Sequence, residues 1–296
     1  MLHRAQRFSL RCCFAALSLF FVCGVGYAQA AKPGEKGRTS MAVTPLTPDE
    51  GREQLDAFRR QRMSGDYVFR FELIHYPRRG PKVSYEGYLW GTWNEQGPLS
   101  RIIIWGDHAS GDPTVDMIVQ NGANPKVWIA GKNGRAVEMS KAQMRDPVLE
   151  GIVFTPFDLL MPFIYWENFE YGGSERRSGR PHDIFNMLPP PGWEKNAPDL
   201  KSVAITLDRN FRALNRIEEL DTEGKAMRTF KIVSYKELDD QYVVKEIDLV
   251  DEKTRDKTRF AVLAAAVDVE LPASTFDPRA IGLGLPPVRG LPFKGI

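Results

Sequence analysis

The sequence predicts a mainly β fold of the α+β kind: a single antiparallel meander sheet of about ten to twelve strands, covered by an N-terminal helix and a central apolar lid helix. Three observations predict it. From Asp66 onward most apolar runs alternate with period two, as strands with one buried face do. The links between those runs are short and rich in turn residues, and short links join antiparallel neighbours. One stretch breaks the pattern: from Phe154 to Trp166 the only charge is Asp158. A segment apolar nearly all round must be covered on more than one side, and this one is too short to span a bilayer.

The first 30 residues read as a secretory signal peptide. Arg4, Arg7 and Arg11 form a basic start, Phe14 to Val25 an apolar run, and Ala28-Gln29-Ala30 an A-x-A site with cleavage expected after Ala30. Cys12, Cys13 and Cys23 all lie inside it, so the exported chain carries no cysteine and needs no disulfide; a bacterial periplasm is the expected compartment. Loss of three arginines takes the net charge from +2 to about −1, which gives no attraction for nucleic acid. Residues 31–46 form a Lys-, Gly-, Pro- and Thr-rich leader. A helix begins at Thr47-Pro48-Asp49-Glu50, with Thr47 as cap, Pro48 in the first turn and Glu50 completing a capping box. Leu55, Phe58 and Met63 give it one apolar stripe among Arg52, Arg59, Arg60 and Arg62, so it is a surface helix with one edge on the sheet.

In Tyr67 to Tyr76, Phe69, Phe71 and Leu73 alternate with Arg70 and Glu72. In Val83 to Trp93, Tyr85 and Leu89 share a face with Gly87, Gly91 and Trp93. Leu99 to Gly106, Thr114 to Gln120, Lys126 to Ala130 and Arg135 to Met139 follow, with Asn133-Gly134 a strong hairpin signal. Lys141 to Gly151 holds a brief helical turn before the lid. Asn168 to Gly173 and Arg180 to Leu188 form a hairpin; runs at 200–208, 214–221, 226–237, 242–251 and 259–269 and a short end near Phe276 complete the sheet. The domain is expected over 47–281, with a Gly/Pro-rich extended tail at 282–296. More than eight strands curled together leave a hollow that something must occupy. Phe260, Val262, Ala264 and Ala266 fall on one face of the last long strand, the alanines leaving room for a guest or the lid.

Chemistry is hard to find. His75, His108 and His182 are far apart and lack ligand spacing, so no metal site is expected, and no cofactor. Gly106 to Asp112 packs Asp107, His108 and Ser110 together, but a triad is assembled from separate elements, and these are turn residues. Gly91-Thr92-Trp93 is too short a match to a lipocalin triplet to carry weight. Glu175-Arg176-Arg177 with Arg180 reads as a solvated basic tip or a contact for an acidic partner. The carboxylates are spread along strand surfaces, so no acid–base pair stands out and no enzyme is expected.

Thr155-Pro156-Phe157-Asp158-Leu159-Leu160, then Tyr171-Gly172 and Gly179-Arg180, resembles the T-P-x-D-L-L segment and following hairpin of bacterial outer-membrane lipoprotein-sorting proteins (LolA-, LolB- and LppX-like). The ending, Thr258-Arg259-Phe260 with Leu271-Pro272 and Phe276-Asp277-Pro278, is similar too. The resemblance covers roughly residues 48–281 and implies an unclosed half-barrel around a greasy cavity, in a carrier of lipid or lipoprotein acyl chains, with a membrane-bound donor or acceptor protein as a further partner. The arginine of the LolA helix–barrel contacts has no matched position, so that release mechanism is not carried over. Alternation and the lid place Phe69, Phe71, Leu73, Tyr85, Leu89, Phe157, Leu160, Phe163, Trp166, Phe260 and Val262 as the expected lipid-lining residues. The alternative is a non-enzymatic interaction or sensor module of the same fold that binds a protein partner.

Overall fold

The structure, a computed structural model, describes residues 14–15, 43–106, 111–131 and 134–296. The expected signal peptide (apart from Phe14–Ala15, paired with Arg62–Met63), its cleavage point and most of the leader lie outside these residues. So do Asp107, His108, Ser110 and Asn133.

Helix α1, Pro48–Arg59, starts as its sequence dictates. Thr47 accepts from the Glu50 N–H, and the Glu50 carboxylate accepts from Thr47, a reciprocal capping box. Its stripe buries Leu55 and Phe58 against the sheet.

Among the described residues the sheet has fourteen strands, more than alternation alone suggested. The first six are β1 (Asp66–Tyr76), β2 (Val83–Asn94), β3 (Gly97–Trp105), β4 (Val115–Gln120), β5 (Lys126–Ala130) and β6 (Ala136–Glu138). After the lid come β7 (Phe169–Arg177), β8 (Arg180–Met187), β9 (Ser202–Asp208), β10 (Ala213–Leu220), β11 (Ala226–Leu238), β12 (Gln241–Asp251), β13 (Lys257–Val269) and β14 (Lys294–Gly295). The spatial order is β6-β5-β4-β3-β2-β1-β13-β12-β11-β10-β9-β8-β7, with β14 beside β13 and every pairing antiparallel. The chain thus runs outward from the centre to the edge β6, crosses to the opposite edge β7, and meanders back until β13 pairs with β1. The sheet stays open, and the segment linking its two edges is the lid.

The concave face carries the core. On β1, Tyr67, Phe69, Phe71 and Leu73 are buried into it, and β2 places a glycine opposite two of the rings. Phe71 faces Gly87 and Tyr67 faces Gly91; a Cβ at Gly91 would stand 1.9 Å from the Tyr67 ring. The glycines are there because the rings occupy the space a side chain would need.

On β13 the expected facing changes midway. The register with β1 slips between Val262 and Ala264, a bulge that moves Ala265 and Val267 onto the core face and sends Ala264 to pair with Gly295 of β14. Phe260 and Val262 keep the predicted facing, whereas Ala264 and Ala266 do not line the interior. Near Phe276 the backbone forms a 3-10 turn, Ala273–Phe276, in place of the short strand expected there. The following tail covers the convex face, where Val68, Trp90, Ile103, Trp105, Leu271 and Phe276 form a second apolar cluster. Arg101 fastens it: fully buried, it holds Asp116 through two hydrogen bonds of 2.9 and 2.8 Å and donates to the Ala280 and Gly284 carbonyls.

Candidate functional site

The candidate site is the concave face together with the lid that crosses it. Helix α2, Pro156–Leu160, is shorter than the lid helix the sequence suggests. Thr155 caps it and Asp158 closes a capping box at 2.7 Å to the Thr155 N–H, but Pro162 cannot continue the helix. Met161 turns left-handed at φ 45°, and a 3-10 turn, Pro162–Tyr165, finishes the segment. Breaking the helix there lets the segment bend with the sheet, so Phe157, Leu159, Leu160, Met161, Phe163 and Ile164 are all buried. Phe157, Phe163 and Trp166 meet Trp193 in an aromatic cluster, with ring centres 5.4 Å apart for Phe157 and Trp193.

The eleven expected lining residues come together in this one core. Ten are buried, and Tyr85 is half-buried against them. Among the described residues the lid itself fills the space between the sheet strands. The void left among Phe71, Leu73, Leu89, Phe260, Ile102, Ile104, Val148, Phe154 and Leu159 is about 10 Å³, enough for one water and far too small for an acyl chain.

Polar contacts fasten this apolar plug. Asp158, wholly buried in the lid, receives Arg228 of β11, whose Nη1 lies 2.8 Å from Oδ1 and whose Nη2 also reaches the Val153 carbonyl. Glu219 of β10, buried too, bonds both Arg228 and Arg145, the latter at 2.7 Å. Two guanidiniums and two carboxylates thus share one buried cluster. Burial raises the Asp158 carboxyl above its usual range, against the pull of Arg228 and with the push of Glu219. At the other end of the lid, Arg59 of α1 donates to the carbonyls of Ile164 and Trp166, both at 2.6 Å, and Asn121 donates to the Leu160 carbonyl.

Sequence reasoning missed these fasteners. Arg59 was one of four arginines on a surface helix, and Arg228 lies 70 residues from its partner, beyond any local pattern. Asp158 stands out in the sequence as the single charge of an apolar run and as the aspartate of the T-P-x-D-L-L segment, and neither signal points to Arg228.

The other sequence signals stay apart from this site. The basic tip is largely paired: Arg177 with Glu175, Arg180 with Asp208, and Arg176 to the Gly179 carbonyl. His182 lies near Asp208 at 3.8 Å, away from His75. Among the described residues no group of three or more His, Cys, Asp or Glu side chains could hold a metal ion.

No family model matches the chain, and no curated protein matches it in sequence. Solved structures do. An outer membrane lipoprotein-sorting protein domain from Vibrio parahaemolyticus superposes with a TM-score of 0.66 at 16% identity, covering 79% of this chain and 97% of that one. A DUF1329 family protein from Desulfovibrio piger gives 0.66 at 11% identity, over 79% and 98% of the two chains. A LolA superfamily protein from Nitrosomonas europaea gives 0.57 at 12% identity, over 78% and 98%. The fold is LolA-like.

Proposed function

We propose that this chain is a periplasmic carrier that takes lipid or lipoprotein acyl chains onto its concave face, for lipoprotein sorting or lipid transport, in the closed state seen here. One observation carries the reading: the lid is an apolar segment that links the two free sheet edges, packs its side chains onto the concave face and is fastened there by polar contacts from Arg59, Asn121 and Arg228. Swinging it out exposes a curved apolar face while the β1–β13 seam stays paired. Transfer from water contributes about 0.8 kcal/mol per methylene, so a palmitoyl chain gains on the order of 10 kcal/mol, most of it offset by extraction from a bilayer. A carrier needs near-balance with the membrane, and a lid whose own apolar side chains replace the cargo supplies it. The LolA-like fold supports this reading, as does the expected export signal.

The filled interior favours a second reading, an interaction module that binds a protein partner and no lipid. Mass spectrometry of lipid extracts from the mature protein, purified from its native periplasm, separates the two. Stoichiometric acyl chains are expected. A lipid-free protein that also refuses added lipid overturns the carrier and leaves the interaction module.

A further inference from the structure

The tail that crosses the convex face is tied down along its length and yet holds two leucines out in water. Leu283 is 80% exposed and Leu285 55%, the two most exposed large apolar side chains among the described residues. A lone exposed leucine is ordinary on a protein surface. These two stand one residue apart, and the backbone that carries them is fixed on both sides.

The clamp is the buried pair of Arg101 on β3 and Asp116 on β4. Arg101 Nη2 donates to the carbonyls of Ala280 and Gly284 at 3.0 and 3.1 Å, and Asp116 Oδ2 accepts the Gly282 N–H at 2.9 Å. Three alternate residues are thus tied to one ion pair. Ile281 points inward and is buried, whereas Leu283 stands out between Gly282 at φ 77° and Gly284 at φ 129°, backbone that glycine adopts without strain. Leu283 donates its own N–H to the Ala280 carbonyl at 3.2 Å. Downstream, Pro286 is buried and the Pro287 carbonyl accepts from Trp90 Nε1 at 3.3 Å. Residues 282–285 therefore form a knuckle whose apolar crest cannot fold back onto the sheet without breaking the clamp.

We infer that this knuckle docks the protein on an anionic lipid surface, with Leu283 and Leu285 entering the boundary between headgroups and acyl chains and Arg289 pairing with lipid phosphates. Charge points to this occupant. From Pro278 to Ile296 the chain carries Arg279, Arg289 and Lys294 and no acidic residue. Arg279 and Lys294 are answered by Asp277 and Asp239, and Arg289 has no ion pair among the described residues. Shape points the same way: the crest is two side chains on a four-residue turn, while a specific protein interface takes about 800 Å² from each partner. A bilayer interface needs no matching pocket, and binding to it grows with the apolar area buried and with the pull of anionic headgroups on nearby cations. The inference stands apart from the carrier reading, because docking needs no cargo on the concave face.

The test floats the mature protein with vesicles of phosphatidylglycerol and phosphatidylethanolamine, and with vesicles of phosphatidylcholine alone. The native chain is expected to prefer the anionic vesicles and to bind them less tightly as salt rises. Leu283→Ser/Leu285→Ser is expected to weaken that binding about tenfold, with Tm unchanged because both side chains stand in water. Arg289→Gln should weaken it about fivefold. Residues 31–296 contain no cysteine, so Leu283→Cys takes a single environment-sensitive dye. Its emission is expected to rise on anionic vesicles, while the same dye on Val233→Cys, also exposed, stays unchanged. A native chain that does not bind anionic vesicles, a serine variant that binds as well as the native chain, or a silent dye at 283 on vesicle-bound protein overturns the inference. Each of these outcomes leaves the carrier reading to its own lipid-extraction test.

Discussion

At the scale of single residues, the interior is shaped by cross-strand exchange of volume. The Tyr67 ring lies where a side chain at position 91 would stand, as Phe71 does at 87. Gly91→Ala forces a methyl into space the ring fills, at a cost of about 1–3 kcal/mol by the usual price of overpacking. Urea unfolding should show it, and pairing Gly91→Ala with Tyr67→Ala should cost less than the sum of the two single changes. Additive effects would mean that the ring and the glycine are not coupled. Alternation made this much legible: Phe69, Phe71 and Leu73 face inward as their period demands. It could not reveal the slip after Val262, because Leu263-Ala264-Ala265-Ala266-Val267 is apolar at every position and has no face to read. Nor could it reveal the Asp158–Arg228 pair, which only the closed sheet brings together.

At the scale of elements, the hairpins and the lid obey different constraints. The β11–β12 turn places Asp239 and Asp240 at φ 49° and 60°, the two left-handed positions of a type I′ hairpin, where glycine is favoured at the second. Asp240→Gly should therefore stabilise the protein by about 0.5–1 kcal/mol, raising Tm by roughly 1–4 °C; a fall in Tm would show that the Asp240 side chain contributes something the backbone does not reveal. In the lid, local signals gave the start, Thr155-Pro156 with Asp158, but the helix ends at Met161 because Pro162 follows. Arg59→Met keeps an apolar stem against the sheet while removing the donors to Ile164 and Trp166. Charged hydrogen bonds contribute about 1.5–3 kcal/mol each. Amide hydrogen exchange across 154–166 should therefore accelerate at least tenfold, with β1 and β13 unchanged. Equal protection in native and variant chains would show that α1 does not hold the lid.

At the scale of the whole molecule, the fold class and the antiparallel meander were legible, because period and turn chemistry are local. The pairing of β1 with β13, which sets the two free edges, was not, since it joins positions nearly 200 residues apart. That arrangement decides how the protein meets acid. Near the edge at β7 and β8, burial pushes the Asp183 carboxyl up, but hydrogen bonds from Arg209, Ser174 and Tyr171 outweigh it and hold the group below its usual range. Arg209 also binds the Thr44 carbonyl, so this cluster ties the segment before α1 to the sheet. Asp248 is held low in the same way, burial being outweighed by Arg259 and Lys257. A carboxyl with a depressed folded pKa gives stability that is present above its unfolded value, about 3.9, and lost as the pH falls through the folded one. Asp158 has the opposite sign: its folded pKa is raised, so acid relieves a buried charge instead of removing a stabilising one. Acid should therefore loosen the β7–β8 edge before the lid. The urea midpoint should stay level from pH 8 to about 5 and fall below about pH 4, and Asp183→Asn should flatten part of that fall. Hydrogen exchange corrected for intrinsic rates should rise first in 169–187 and later in 154–166. If the lid opens first on acidification, the Asp158 cluster is held by its charges in a way that protonation breaks, and the lid becomes the acid-sensitive element of the fold.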